Sequence, residues 1–457
     1  MLDRASLEKL LEAVQRLDQG FQSLPPFEPF APGNARLGEI LDQVAARLSD
    51  NYPYFHPLYA GQMLKPPHPV ARLAYALAMY LNPNNHALDG GRATSAMEKE
   101  AVAEIALMFG WRDHLGHLCG GGTLANLEAL WVAGQLRPGK KILASRQAHY
   151  THSRISNVLQ LPFESVPVDS RGKMDVGALE QRLRQGDVGT VVATLGTTAT
   201  GSVDPLNEIV ELQERHGFRI HVDAAYGGYF KLVDELEPDA LRAFAEIERA
   251  DSIVIDPHKH GLQPYGCGCV LFRDPAVGGL YTHDSPYTYF SSSELHLGEI
   301  SLECSRPGAA AAALWATQKL LPLVQKGEMA KSLARSRKAA LELYARFEND
   351  GMFMTAFRPE LDIVIFAPRA SSLAESSARS RRIFAEAAQR DLYLAVAELP
   401  AAFWSAQNPG VRADCETVVC LRSVLMKPEH LDWIREIWDR LEKAAKAVPG
   451  AQRSTGP

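Results

Sequence analysis

Ser252-Ile-Val-Ile-Asp-Pro-His-Lys259-His-Gly261 runs an apolar, β-branched strand directly into a proline, two histidines and a lysine. A lysine in such a place is ordinarily a solvated surface group. Upstream, Ile220-His-Val-Asp223-Ala-Ala-Tyr-Gly-Gly228 follows the same plan: a short strand, a carboxylate at its end, then small residues. An aspartate there caps a following element as readily as it serves chemistry. Further runs of the same kind lie at Lys141 to Ala144, Thr190 to Thr194 and Cys269 to Phe272, with amphipathic stretches between them such as Val176 to Arg184 and Leu206 to His216. Short strands alternating with helices predict an α/β fold with a mainly parallel central sheet, whose functional groups stand beyond the carboxyl ends of its strands. Asp223 and Lys259 both stand there.

The pattern changes on either side of this region. Leu7, Leu10, Leu11, Val14 and Leu17 share one face of a helix, and prolines crowd residues 25–32 and 52–69. Proline at that density breaks helices, so residues 1–66 read as helical and extended arms that need another surface to lie on. Residues 67–320 form the large α/β domain. Beyond it, apolar runs at Ile363 to Phe366 and Val418 to Leu421, with helices at Ser376 to Gln389 and Pro428 to Ala447, predict a smaller α+β domain over 321–448. The small, polar residues 449–457 read as a disordered tail.

With 457 residues, 46 % hydrophobic and 22 % charged, the chain has the composition of a globular protein of two to four domains. A formal net charge of −6 offers no positive field for a phosphate backbone, so nucleic acid is not an expected partner. The six cysteines form neither C-x-x-C pairs nor a small disulfide framework, which fits a reducing, cytoplasmic setting. Acidic residues interrupt the first twenty positions, unlike a secretory leader, and no apolar run is long enough to span a membrane.

A third motif completes a chemical set. Leu118-Cys-Gly-Gly-Gly-Thr123-Leu-Ala-Asn feeds a glycine run into a helix, where free N–H groups attract an anion. It lacks the G-K-[ST] of a P-loop and the dinucleotide fingerprint, so a single phosphate monoester suits it better than a nucleotide. A lysine, an aspartate 36 residues before it and a phosphate cradle are the groups that pyridoxal 5′-phosphate requires. Histidine pairs His114/His117 and His149/His152 lack carboxylate or thiol partners at ligand spacing, so no metal site is expected.

In this combination and order, Gly-Gly-Thr-Leu-Ala-Asn, Gln147-Ala-His149-Tyr, Thr194-Leu-Gly-Thr-Thr198, His221-Val-Asp-Ala-Ala-Tyr and Asp256-Pro-His-Lys259 resemble the group II pyridoxal-phosphate-dependent amino-acid decarboxylases. The resemblance implies fold type I, the aspartate aminotransferase-like architecture. It implies Lys259 as the Schiff-base lysine, Asp223 as partner of the pyridinium nitrogen, Ala225 and His149 on the two ring faces, Thr197 beside the phenolic oxygen, and Gly122, Thr123 and His258 around the phosphate. It further implies a homodimer with active sites at the interface and a mobile loop tyrosine, Tyr287 or Tyr289, that protonates Cα. Where several relatives have asparagine this chain has Asp256, a carboxylate beside a dianion.

For substrate contacts the candidates are Tyr59, in the aromatic group Tyr54, Phe55, His56 and Tyr59, then His86 beside Asn84 and Asn85, and Arg422 after the strand-like Val418 to Leu421. The resemblance implies α-decarboxylation of an L-amino acid, and the aromatic group favours an aromatic substrate, opposed by the polar Asn84-Asn85-His86 stretch. Aspartate or glutamate is the alternative substrate, and an aldehyde synthase or transaminase of the same fold the alternative reaction. Arg306, before an alanine-rich helix, suits a structural or interface role.

Overall fold

Seven strands make the central sheet of the structure, a computed structural model that describes residues 3–28, 30, 33–282 and 295–448. They are β1 (Leu115–Cys119), β2 (Lys141–Ser145), β3 (Phe163–Val166), β4 (Val188–Thr194), β5 (Arg219–Asp223), β6 (Ser252–Ile255) and β7 (Gly268–Phe272). Their spatial order is β1-β7-β6-β5-β4-β2-β3. All neighbours run parallel except β7, which is antiparallel to both β1 and β6. Ile142, Leu143, Val191, Val192, Ile220, Val222 and Ile253 are buried on either face of the sheet, as expected of strands covered by helices on both sides. The fold is therefore the α/β, mainly parallel architecture that the strand-and-helix alternation predicts. β1 and β3 carry no continuous β-branched run, and neither stands out in the sequence.

A second, antiparallel sheet of β8 (Phe353–Thr355), β9 (Ile363–Pro368), β10 (Ala395–Pro400) and β11 (Thr417–Val424) follows, in the order β10-β11-β9-β8. Helices Glu328–Asp350, Leu373–Ala388 and His430–Ala447 cover it, with Phe347, Phe353 and Phe366 packed ring to ring at their centre. Leu58 and Ala60 join this smaller core, and Ala60 exchanges main-chain hydrogen bonds with Tyr393 and Val424.

The amino-terminal helices Arg4–Gln19 and Leu37–Leu48 bury no residue at all. Their apolar side chains, Leu7, Leu11, Leu37, Leu41 and Leu48 among them, lie open, and Phe27 and Phe30 between them are 83 % and 93 % exposed.

Candidate active site

The carboxyl ends of β4, β5 and β6 and the loop after β1 surround one cavity of about 560 Å³. Its floor is the turn between β1 and the helix Gly122–Leu136. Gly121 sits there at φ +147°, a region that favours glycine, and no side chain caps the helix that follows. The space is tight. A Cβ at Gly268 would lie 2.6 Å from the main chain of Gly121, and one at Gly122 would lie 2.7 Å from Asp256 Oδ2. Main chain of the glycine run lines this end together with Thr123, Asp256 and His258, and the uncapped first turn turns its N–H groups and positive dipole end toward an anion.

Lys259 follows β6 in a turn closed by its own N–H on Asp256 O at 2.9 Å. Its Nζ lies 3.0 Å from Asp256 Oδ2, so a cation offsets the carboxylate that the sequence sets beside the glycine loop. Asp256 is 3 % exposed, and its Oδ1 finds no partner. His258 places Nδ1 2.9 Å from Cys267 O and Nε2 3.6 Å from Asp256 Oδ2. A carbonyl only accepts, so Nδ1 carries the proton. Burial holds this imidazole below its ordinary pKa, against the pull of Asp256.

Asp223 ends β5 and is 5 % exposed. Oδ1 accepts the Ala225 N–H at 3.1 Å, and Oδ2 faces His152 Nε2 at 2.8 Å and Asn126 Nδ2 at 3.5 Å. Burial alone would raise its pKa. The His152 hydrogen bond and charge, the Ala225 N–H and the nearby His221 outweigh burial and hold the carboxyl well below the usual carboxylate range. His149, half-buried one turn before His152, lines the cavity; its Nδ1 accepts the Thr151 N–H at 3.3 Å, and burial lowers its pKa.

Gly122, Thr123, His149, Asp223, Ala225, His258 and Lys259 thus meet on one cavity. Four other candidates do not line it. Thr197 is turned into its own loop, its hydroxyl 2.7 Å from that of Thr200, while neighbouring Thr198 lines the cavity. Arg422 is buried rather than at the surface, and donates to the carbonyls of Thr198, Ala199 and Gly61 and to Gln62. Tyr59 packs edge-on against Tyr54, its ring centroid 4.9 Å away, and accepts Lys427 at its carbonyl. His86 lies against Gly298. Tyr287 and Tyr289 fall outside the described residues. Sequence reasoning missed His152 and Asn126 as neighbours of Asp223; the three-residue spacing from His149 was the visible trace of His152, and Asn126 stood unremarked at the end of the glycine motif. Among the described residues no cluster of metal-ligating groups occurs.

The set fits pyridoxal phosphate. A glycine run at the start of a helix, where a Cβ at Gly122 would run into Asp256, suits a phosphate; an amine stands on the turn after β6; and an ionised carboxylate closes β5. In the strand order β1 and β5 are three spacings apart, roughly 14 Å, with the lysine's strand between them.

The family model for the pyridoxal-dependent decarboxylase conserved domain matches residues 132–369, more than half of the chain. The chain belongs to this pyridoxal-dependent family. The L-tyrosine decarboxylase of Enterococcus faecium is 29 % identical, over 62 % of this chain and 63 % of its own length. A probable L-tyrosine/L-aspartate decarboxylase of Methanothermobacter thermautotrophicus is also 29 % identical, over 67 % of this chain and 82 % of its own. The chain thus spans less than two thirds of the Enterococcus protein. Among solved structures, mouse CSAD superposes with a TM-score of 0.79 at 20 % identity, covering 97 % of this chain and 99 % of that one. The Oryza sativa TDC with PLP and tryptamine gives 0.77 at 18 %, covering 97 % of each. These likenesses establish the fold.

Proposed function

We propose that this chain decarboxylates an L-amino acid, an aromatic one by preference, to the amine and CO2 with pyridoxal 5′-phosphate. The observation that carries the reading is the convergence of Lys259, Asp223 and His149 on a cavity floored by the glycine loop. Gly122, Thr123 and His258 would hold the phosphate, Lys259 the aldehyde carbon, Asp223 the ring nitrogen, and His149 and Ala225 the ring faces. Bound, the cofactor supplies an electron sink for the pair left at Cα when the carboxylate departs as CO2. The residues do the rest. Asp223, kept ionised, favours a protonated ring nitrogen, because opposite charges at short range stabilise each other. Lys259 Nζ lies 3.0 Å from Asp256 Oδ2, a carboxylate that positions the amine whenever it is free. Thr198 and Tyr226 wall the cavity, and the Tyr226 hydroxyl donates to Asp362 at 2.6 Å, which fixes its ring.

The aromatic preference follows the sequence reading and agrees with the names of the bacterial relatives; the archaeal names keep aspartate as the second substrate. A homodimer accounts for the apolar side chains that stay exposed on helices Arg4–Gln19 and Leu37–Leu48, Leu7, Leu11, Leu37, Leu41 and Leu48 among them. Free cysteines throughout the described chain suit the cytoplasm. Among the described residues no helix is long and apolar enough to cross a membrane.

The test is a screen of the twenty amino acids for CO2 release by cofactor-loaded protein. Release with an aromatic substrate, together with a visible absorption band that Lys259→Ala abolishes, is expected. Ammonia in proportion to substrate would replace decarboxylation by aldehyde synthesis, and the absence of any band would overturn the cofactor assignment.

A further inference from the structure

The acid that faces the ring nitrogen is supported from behind. His152 is wholly buried, on the helix Thr151–Val158 that follows β2, and its Nε2 lies 2.8 Å from Asp223 Oδ2. An ionised carboxylate only accepts, so Nε2 carries a proton and donates it. Nδ1 of the same ring is enclosed and meets no protein partner. The ring therefore makes one polar contact in the described chain, and that contact is Asp223.

A second line reaches the same oxygen. Asn126 lines the cavity with its Nδ2 3.5 Å from Asp223 Oδ2. Its Oδ1 is 2.8 Å from His221 Nε2, and His221 Nδ1 is 2.9 Å from Ser252 Oγ. Because Asn126 Oδ1 only accepts, His221 donates from Nε2 and receives the serine hydroxyl at Nδ1. Burial pushes the His221 imidazole down to about 3, in keeping with this neutral form. Asp223 and His221 of β5 thus tie the strand to β6 and to the helices after β1 and β2.

We infer that His152 is a positioning residue for the cofactor: it orients Asp223 and keeps it ionised toward the ring nitrogen, with Asn126 and His221 as a weaker second support. The inference rests on the cofactor reading given above. A buried histidine that merely filled space would need neither the 2.8 Å contact nor its direction. Hydrogen bonds to charged groups are worth roughly a tenfold to hundredfold change in an equilibrium.

The test compares wild type, His152→Gln and His152→Leu in the full chain, by equilibrium dialysis with pyridoxal phosphate and by pH titration of the visible band. Expected for H152L are a tenfold to hundredfold loss of cofactor affinity, a band midpoint displaced from that of wild type, and a kcat that falls more than KM rises. H152Q, which restores an N–H donor, should recover most of each. Affinity and band midpoint unchanged in H152L overturn the inference, as does an H152Q no better than H152L. His152→Met stands in where H152L does not fold. If only donor-bearing variants fold, the histidine serves the fold and the proposal falls. A wild-type chain that binds no pyridoxal phosphate refutes the cofactor reading itself; a wild type that binds, beside an unaltered H152L, refutes only the role of His152.

Discussion

Replacing Arg306 by methionine tests how the glycine loop is held. Arg306 and Glu98 are 5 % and 2 % exposed, and Arg306 Nη1 donates to Glu98 Oε1 at 2.7 Å. Both grip Leu118, two residues before the glycines: Glu98 accepts the Leu118 N–H at 2.9 Å, and Arg306 donates to the Leu118 carbonyl. Asn85 Nδ2 completes the carboxylate's shell at 2.7 Å. Methionine keeps much of the volume but removes the cation, leaving Glu98 buried with only neutral donors. Breaking one side of a buried pair in this way costs about 3–5 kcal/mol. At about 2–4 °C per kcal/mol for a domain of this size, melting should fall by roughly 6–20 °C. Urea unfolding followed by tryptophan fluorescence reads the loss, and pyridoxal phosphate affinity should weaken with it as the end of β1 loosens. The double variant Glu98→Gln/Arg306→Met removes the stranded charge and should regain at least about 1 kcal/mol over Arg306→Met alone. A single variant within about 1 kcal/mol of wild type, or a double variant no better than the single, refutes the reasoning.

Two further outcomes follow from buried charge. Lys427, 3 % exposed with Nζ 2.6 Å from Tyr59 O, is pushed down to about 7 by burial and by Lys65. Its folded value lies below the unfolded one, so between pH 7 and the ordinary lysine range the unfolded chain binds the extra proton and stability rises with pH, by at most about 1.4 kcal/mol per unit. Urea midpoints at pH 7 and 9 should show that rise and Lys427→Met should flatten it; a variant with the wild-type slope contradicts the assignment. Asp256→Asn removes a carboxylate that a Cβ at Gly122 would touch, and should tighten pyridoxal phosphate binding roughly tenfold, as dialysis measures; weaker binding would show that Asp256 supports the phosphate rather than opposing it.

Asp223, Lys259 and the glycine run were legible because each ends an apolar strand or starts a helix, features that a one-dimensional pattern carries. His152 was not, since its partner lies 71 positions away and its own helix start looks like any polar turn. Arg422 read as a substrate-binding group, yet its guanidinium is held by the carbonyls of Thr198, Ala199 and Gly61 and by Gln62, contacts set only by how the small domain seats on the large one. β10 escaped notice because Ala395-Val-Ala-Glu-Leu-Pro400 lies at the sheet edge with alternate residues open, where no continuous apolar run is required. Asp256 was the one departure that sequence flagged, and Lys259 supplied the counter-charge.

The antiparallel β7 also governs when the site comes into being. It inserts between β1 and β6, and its first residue, Gly268, backs directly onto Gly121, some 150 positions earlier in the chain. The glycine floor of the cavity is therefore closed by one of the longest-range pairings in the large sheet, and such loops close slowly because their entropy is lost before any contact repays it. A chain still being made has no finished cradle until residue 272 has emerged and β7 has slotted home. Cofactor capture then comes late, as a lock on a sheet already assembled rather than as a seed for its assembly.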